Sequence, residues 1–148
     1  MREPSLLPRS YNDLAFHVAD YLHALGIVPS PLAPQDGDIG VFINAWADTP
    51  DTAVMITSPW EFTGRDSDTI PELRFMVAHR AVDQADLWEL QTATFRALHQ
   101  PSVRFRLTGT VDMIQCGRII SDPPVPDANS RWVAVDTYRC RPYRHHER

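Results

Sequence analysis

The chain has 148 residues, and its 14 basic residues, all arginine, stand against 19 Asp and Glu residues, so that the formal net charge is −5. With 43% hydrophobic and 22% charged residues, the composition is typical of a globular protein and excludes wholesale disorder and fibrous repeats. The length predicts a single domain over residues 1–148. The sequence has no run of about 18 apolar residues, so we expect no membrane partner and assembly in the cytoplasm.

The first predicted element is an amphipathic helix. Apolar residues recur with helical spacing from Tyr11 to Leu25, and Gly26 supplies a left-handed stop, which leaves residues 1–9 as an N-terminal arm. A proline-rich connection follows over residues 27–38. Two short runs rich in Val and Ile, at 39–44 and 53–57, then predict two strands, and the turn between them favours antiparallel pairing.

A long loop over residues 59–71 separates these strands from the second half of the chain. Residues 72–79 alternate as a strand does, and Asp83 begins a second helix that ends before Pro101 and places Trp88 on its buried stripe. Two further strands are predicted at 104–119 and 131–139. Residues 140–148 form an Arg- and His-rich tail.

The predicted order is therefore α-β-β-β-α-β-β. An α+β fold accommodates it, with a mixed, mostly antiparallel sheet of four to five strands. Both helices pack on one face of that sheet, so that their apolar stripes share a single core.

The sequence lacks the motifs of the common enzyme classes. Its six glycines form neither a phosphate-binding loop nor a dinucleotide fingerprint, and G-x-S-x-G is absent. No Cys and His spacing fits a metal site. We expect Cys116 and Cys140 to be free buried thiols and His79 to be a surface or helix-end residue. We therefore expect no enzymatic activity, no cofactor and no metal.

Charge and tryptophan are unevenly distributed along the chain. Residues 35–68 carry seven acids against Arg65, whereas residues 139–148 carry four arginines against Glu147. Opposite patches on one chain suit head-to-tail contact between identical subunits, although solvated faces would show the same pattern. Trp46 and Trp60 lie in or beside proline-rich connections, where a large ring serves either as an interface anchor or as packing for a folded-back loop.

One stretch resembles a known family. Residues 72–98, ELRFMVAHRAVDQADLWELQTATFRAL, are similar to the strand-to-helix unit of the tail terminator proteins of long-tailed phages, also called tail completion or minor capsid proteins. The matching features are Phe75 and Val77 in an alternating strand, Arg80 near its end, and an acid-capped helix with Asp83 and Asp86. The opening helix, the strand IGVFIN and the late strand RWVAVDTYRCR resemble that family as well.

The resemblance implies a structural protein of the virion. Its members form a ring, commonly a hexamer, that caps the tail tube, ends tube polymerisation and presents a surface to head-completion or neck proteins, and the genomic DNA passes through the lumen without sequence-specific binding. On this hypothesis the residues expected to make contacts are Trp46, Trp60, Arg65, Asp66, Asp68, Arg74, Arg80, Arg139 and Arg141.

Two alternatives remain open at the level of sequence. A head-to-tail joining protein of the same particle shares every feature used above, and only its binding partner distinguishes it. The other alternative is a small enzyme or ligand-binding domain whose polar site is assembled from Asp66, Asp68 and His79.

Overall fold

A computed structural model describes residues 13–61 and 72–144 of the chain. Within these ranges it contains two helices and eight strands. In chain order these are α1 (Leu14–Ala24), β1 (Ile39–Ile43), β2 (Thr52–Ile56), β3 (Trp60–Glu61), β4 (Leu73–Ala81), α2 (Gln84–Leu98), β5 (Phe105–Arg106), β6 (Val111–Ser121), β7 (Val125–Pro126) and β8 (Trp132–Arg144).

The sheet has the strand order β1-β2-β4-β8-β6-β5, with β3 paired to β4 and β7 paired to β8. Every pairing is antiparallel except that of β1 with β2. The predicted α+β fold with a mixed, mostly antiparallel sheet is confirmed. The sheet exceeds the predicted four to five strands because β3, β5 and β7 are pairs of residues, too short to produce a periodic pattern.

The pairing of β1 with β2 is parallel, and the prediction of an antiparallel pair is wrong. Ile39 pairs with Thr52 and Ile43 with Ile56. The intervening residues 44–51 run back along β1, because eight residues span more than the roughly 17 Å length of a five-residue strand. Pro50 packs on Gly40 during this return, where a Cβ atom would lie 2.9 Å from the proline ring.

Helix α1 follows the predicted pattern. Gly26 has a φ of 80°, a left-handed conformation that glycine adopts without strain, and the helix ends just before it. Its buried face consists of Leu14, Ala15, Val18, Ala19 and Leu22.

Helix α2 begins as predicted but buries a different face. The side chain of Asp83 accepts a hydrogen bond of 2.9 Å from the amide of Ala85, which is the expected N-cap. Trp88 is 68% exposed, so its predicted place in the core is wrong. Leu87 is buried instead, because Ala81 and Ala134 on the sheet leave space for it. The remaining buried positions are Leu90, Thr94, Ala97 and Leu98.

Both helices pack on the same face of the sheet. Val54 and Ile56 in β2 contact the core of α1 and pair with His79 and Val77 in β4, so these four side chains lie on one side. Phe75 and Tyr138 stack on that side, with their ring centroids 5.6 Å apart. One apolar cluster joins the buried faces of both helices, as predicted.

The predicted tail over residues 140–148 is wrong in its first half. β8 continues to Arg144 because its alternate residues are buried against the sheet. Cys140 is fully buried between its partners Leu73 and Cys116, and Pro142 is buried as well. Both cysteines are free thiols, as expected.

Several predicted features lie outside the described residues. They are the N-terminal arm, most of the 59–71 loop, the last four residues, and the expected contact residues Arg65, Asp66 and Asp68. Neither α1 nor α2 combines the length and apolar character that crossing a membrane requires.

Candidate interaction surface

Neither helix of the described residues packs on the second face of the sheet. Side chains alternate along a strand, so residues between the core positions of β4 and β8 project to this opposite side. Arg74 pairs with Arg139 and Met76 with Thr137 across these strands. Trp60, in β3, pairs with Arg74 on its other side and is 42% exposed.

Five arginines lie near one another at one end of this face, opposite the two described helices. Arg141 follows Arg139 on the same side of β8, and Arg106 in β5 pairs with Asp112 in β6, which pairs in turn with Tyr143. We define the arginine face as these arginines with two exposed aromatic residues. Its members are Trp60, Arg74, Arg104, Arg106, Arg139, Arg141 and Tyr143.

Two carboxylates hold four of these arginines in place. Glu72 lies 3.5 Å from a guanidinium nitrogen of Arg74 and 3.5 Å from one of Arg141. Asp112, whose side chain is 8% exposed, accepts hydrogen bonds from Nε of Arg104, at 2.9 Å, and from Nε of Arg106. The side chains of Arg104 and Arg106 are each more than half exposed in spite of these contacts.

Counted with Glu72 and Asp112, which lie among them, the five arginines of this face leave an excess of three positive charges among the described residues, on a chain whose net charge is −5. Arg139 is exposed and lies directly opposite Arg74, and like charges in that position destabilise a sheet. A guanidinium bonds a carboxylate through two parallel hydrogen bonds, and it stacks on aromatic rings. This surface is therefore suited to an acidic partner that carries aromatic side chains.

Trp46 and Arg80, both predicted contact residues, lie against each other away from the arginine face. Arg80 is only 2% exposed, and its guanidinium donates hydrogen bonds to the carbonyls of Ala47, Pro50 and Asp51 at 2.6 to 3.1 Å. The same guanidinium lies 4.5 Å from the centre of the Trp46 ring. Burial, together with the nearby charge of Arg131, lowers the pKa of Arg80. Arg80 therefore holds residues 44–51 in place, and its guanidinium is buried within the subunit.

Arg131 completes this anchor, and its importance was not visible in the sequence. It is 5% exposed and donates hydrogen bonds to the carboxylate of Asp127, at 3.0 Å, and to the carbonyl of Asp48, at 2.6 Å. Asp48 and Asp51 lie within 3.5 Å of its guanidinium. Two acids of the predicted acidic region are thus partly neutralised within the chain.

A second polar cluster lies under α2 on the opposite side of the sheet. Asp136 is fully buried, and its Oδ1 accepts hydrogen bonds from Oγ of Ser121, at 2.7 Å, and from Nε2 of Gln91, at 2.9 Å. Its Oδ2 lies 3.5 Å from Arg118, whose guanidinium stacks 4.1 Å from the Phe95 ring centre. This carboxylate therefore joins α2, β6 and β8.

Gln91, Arg118 and Ser121 also line an open groove of about 610 Å³ between α2 and residues 121–124. No group of three His, Cys, Asp or Glu side chains in the described part of the chain is arranged to hold a metal ion. The polar cluster thus offers hydrogen-bonding groups to the groove and a buried carboxylate behind them.

His79 belongs to this buried region, and its predicted surface position is wrong. It is fully buried because the odd-numbered residues of β4 face the helices. Within the part of the chain that the structure describes, neither ring nitrogen of His79 has a hydrogen-bond partner, and the hydroxyl of Tyr138 has none either. Burial lowers the pKa of His79 to about 4, against the opposing attraction of Asp136. His79 is therefore neutral at physiological pH.

We expect His79→Leu to remove part of the acid sensitivity of folding. Between pH 6.5 and about 4 the unfolded chain takes up a proton at His79 that the folded chain does not, so stability falls as the pH falls through this window. The wild type should therefore lose more stability than the variant, by roughly 2–3 kcal/mol, between about pH 7.5 and about pH 4.5. Urea unfolding at both pH values measures this difference, and equal losses in the two proteins would contradict it.

The arginine face brings together Trp60, Arg74, Arg139 and Arg141 among the predicted contact residues. Arg104, Arg106 and Tyr143 were missed, although two arginines at alternate positions around Phe105 are a strand pattern that could have indicated them. Comparison of the sequence with models of known protein families and with curated proteins finds no match.

Proposed function

We propose that this protein is a structural protein of a phage virion, a tail terminator whose subunits assemble into a ring through the arginine face. The ring, a hexamer in this proposal, caps the tail tube, stops its polymerisation and offers a surface to head-completion or neck proteins. It is located at the junction of tail and head, and the genomic DNA passes through its lumen.

The observation that carries the proposal is the arginine face itself. Four residues expected to make contacts, widely separated in the sequence, lie side by side on the face of the sheet that no described element covers. An exposed Trp among arginines is a composition typical of binding hot spots. The order of the long elements, which underlies the resemblance to tail terminators, is also the order in the structure.

Tube growth provides the test. Tail-tube subunits encoded by the same genome are polymerised alone or with this protein, and tube lengths are measured by negative-stain electron microscopy. We expect the wild type to shorten the tubes and to be visible as a ring at their ends. Arg139→Glu should leave the tubes long, because it reverses the charge at the centre of the arginine face.

Arg139→Glu is a suitable variant because it places a glutamate opposite Arg74 and so removes a like-charge pair from the folded subunit. Arg96→Glu is the matched control, since Arg96 is exposed on α2, on the other side of the sheet. Tubes that grow unchanged with the wild type would overturn the proposed function. Equal effects of the two variants would show that the arginine face is not the surface used. Binding to portal or adaptor proteins instead of the tube would identify a neck protein.

A further inference from the structure

The solvent-facing side of α2 carries exposed apolar and acidic side chains that do not contribute to the core. Trp88 is 68% exposed and Val82 is 54% exposed, although both are large apolar side chains. Asp83, Asp86 and Glu89 are exposed around them within the first two turns of the helix. We define the helix patch as Val82, Asp83, Asp86, Trp88 and Glu89.

The helix patch is complementary to the arginine face in charge and in chemistry. Its three carboxylates match the guanidinium groups, of which Arg139 is exposed and Arg104 and Arg106 belong to side chains that are more than half exposed. The Trp88 ring offers an apolar surface to Trp60 and a π face to an arginine. Exposed apolar side chains in a polar rim mark protein contact sites.

The two surfaces lie on opposite sides of one subunit, because α2 covers the face of the sheet that the arginine face does not occupy. The arginine face of a subunit therefore cannot contact the helix patch of the same subunit. Contact between them requires a second copy. A contact between two different surfaces repeats from subunit to subunit, and it closes into a ring when the rotation between copies permits and grows into a filament when it does not.

We propose that the arginine face of one subunit binds the helix patch of the next copy of this chain, head to tail. This inference rests on the proposed function, since it specifies the contact that builds the ring. A nucleic acid is the weaker candidate for the same surface. The chain is acidic overall, Glu72 and Asp112 lie within the arginine face, and a polyanion leaves the exposed Trp88 unexplained.

Disulfide trapping tests the contact directly. Arg139→Cys and Glu89→Cys subunits are purified separately and mixed under mild oxidation, with and without tail-tube subunits. The native Cys116 and Cys140 do not interfere because both are fully buried and burial raises their thiol pKa values. We expect cross-linked dimers that join one Arg139→Cys subunit to one Glu89→Cys subunit. They should be at least tenfold more abundant than dimers of Arg139→Cys with Asp20→Cys, an exposed control site on α1.

A charge exchange provides the second test. Arg139→Glu alone and Glu89→Arg alone should each lower assembly at least tenfold, as measured by native mass spectrometry, and subunits that carry both changes should assemble again. Cross-links between two Arg139→Cys subunits, equal trapping by the Asp20→Cys control, or no rescue in the double variant would overturn the head-to-tail contact. Binding of duplex DNA that depends on Arg139, without cross-links, would assign the surface to a nucleic acid and also overturn it.

These outcomes are separate from those of the tube experiment. Cross-linked subunits that do not shorten tubes would leave the head-to-tail contact in place and overturn the terminator function. Shortened tubes without cross-links between positions 139 and 89 would support the terminator function and overturn the head-to-tail contact.

Discussion

Asp136→Ala is expected to lower the free energy of unfolding by about 3 kcal/mol. Removing one partner of a buried charge pair costs roughly 3–5 kcal/mol, and the partial exposure of Arg118 places this pair at the lower end of that range. The carboxylate is fully buried and accepts hydrogen bonds from Ser121 and Gln91 while facing Arg118. Its removal leaves these donors without their acceptor between α2 and the sheet. Urea unfolding at neutral pH, followed by circular dichroism, measures the change.

Two further variants isolate the cause. Asp122→Ala removes an exposed carboxylate at the end of the neighbouring strand and should change stability by less than about 0.5 kcal/mol. Asp136→Asn keeps an oxygen acceptor for Ser121 and Gln91. Its free energy of unfolding should lie between those of Asp136→Ala and Asp122→Ala. A loss of stability in Asp136→Ala no larger than that in Asp122→Ala would contradict the role of the buried carboxylate.

Arg80→Met is expected to lower the free energy of unfolding by about 3 kcal/mol, because hydrogen bonds to charged groups each contribute roughly 1.5–3 kcal/mol and water replaces part of what is lost. Methionine retains much of the aliphatic stem but cannot donate to the carbonyls of Ala47, Pro50 and Asp51. Residues 44–51 then lose the group that holds them against the sheet. Amide hydrogen exchange should show faster exchange in this loop as well as in β1, which it packs against.

Arg96→Met serves as the matched control, because Arg96 is exposed on α2. It should be nearly neutral. If Arg80→Met were equally neutral, the buried guanidinium would not be the anchor of the loop. Because Arg80 is buried, a charge reversal at this position would destabilise the subunit itself. Such a variant therefore cannot test contact between subunits.

The local patterns of the sequence predicted the long elements and their order. The left-handed stop at Gly26 and the N-cap at Asp83 involve residues within a few positions of one another, so they can be recognised without knowledge of the rest of the chain. The alternation over residues 72–79 predicted β4 for the same reason.

The sequence was less informative where two faces of one element were almost equally apolar. In α2, stripes containing Trp88 or Leu87 both have helical spacing, and the small side chains of Ala81 and Ala134 select Leu87. In β4, His79 and Arg80 are both buried, one under the helices and one under residues 44–51. Which polar side chains are buried depends on the element that covers them, which lies elsewhere in the chain.

The arginine face, too, was only partly predictable from the sequence. Charge counting located an arginine-rich segment near the end of the chain, because composition is a property of the sequence itself. Only the register of the sheet decided that Arg139 lies opposite Arg74, and that Trp60 and Arg106 belong to the same side. A shift of one residue in that register would send every one of these side chains to the opposite face. Local patterns along the chain thus specify the long elements and the charges, whereas long-range strand pairing selects which of those charges form one surface.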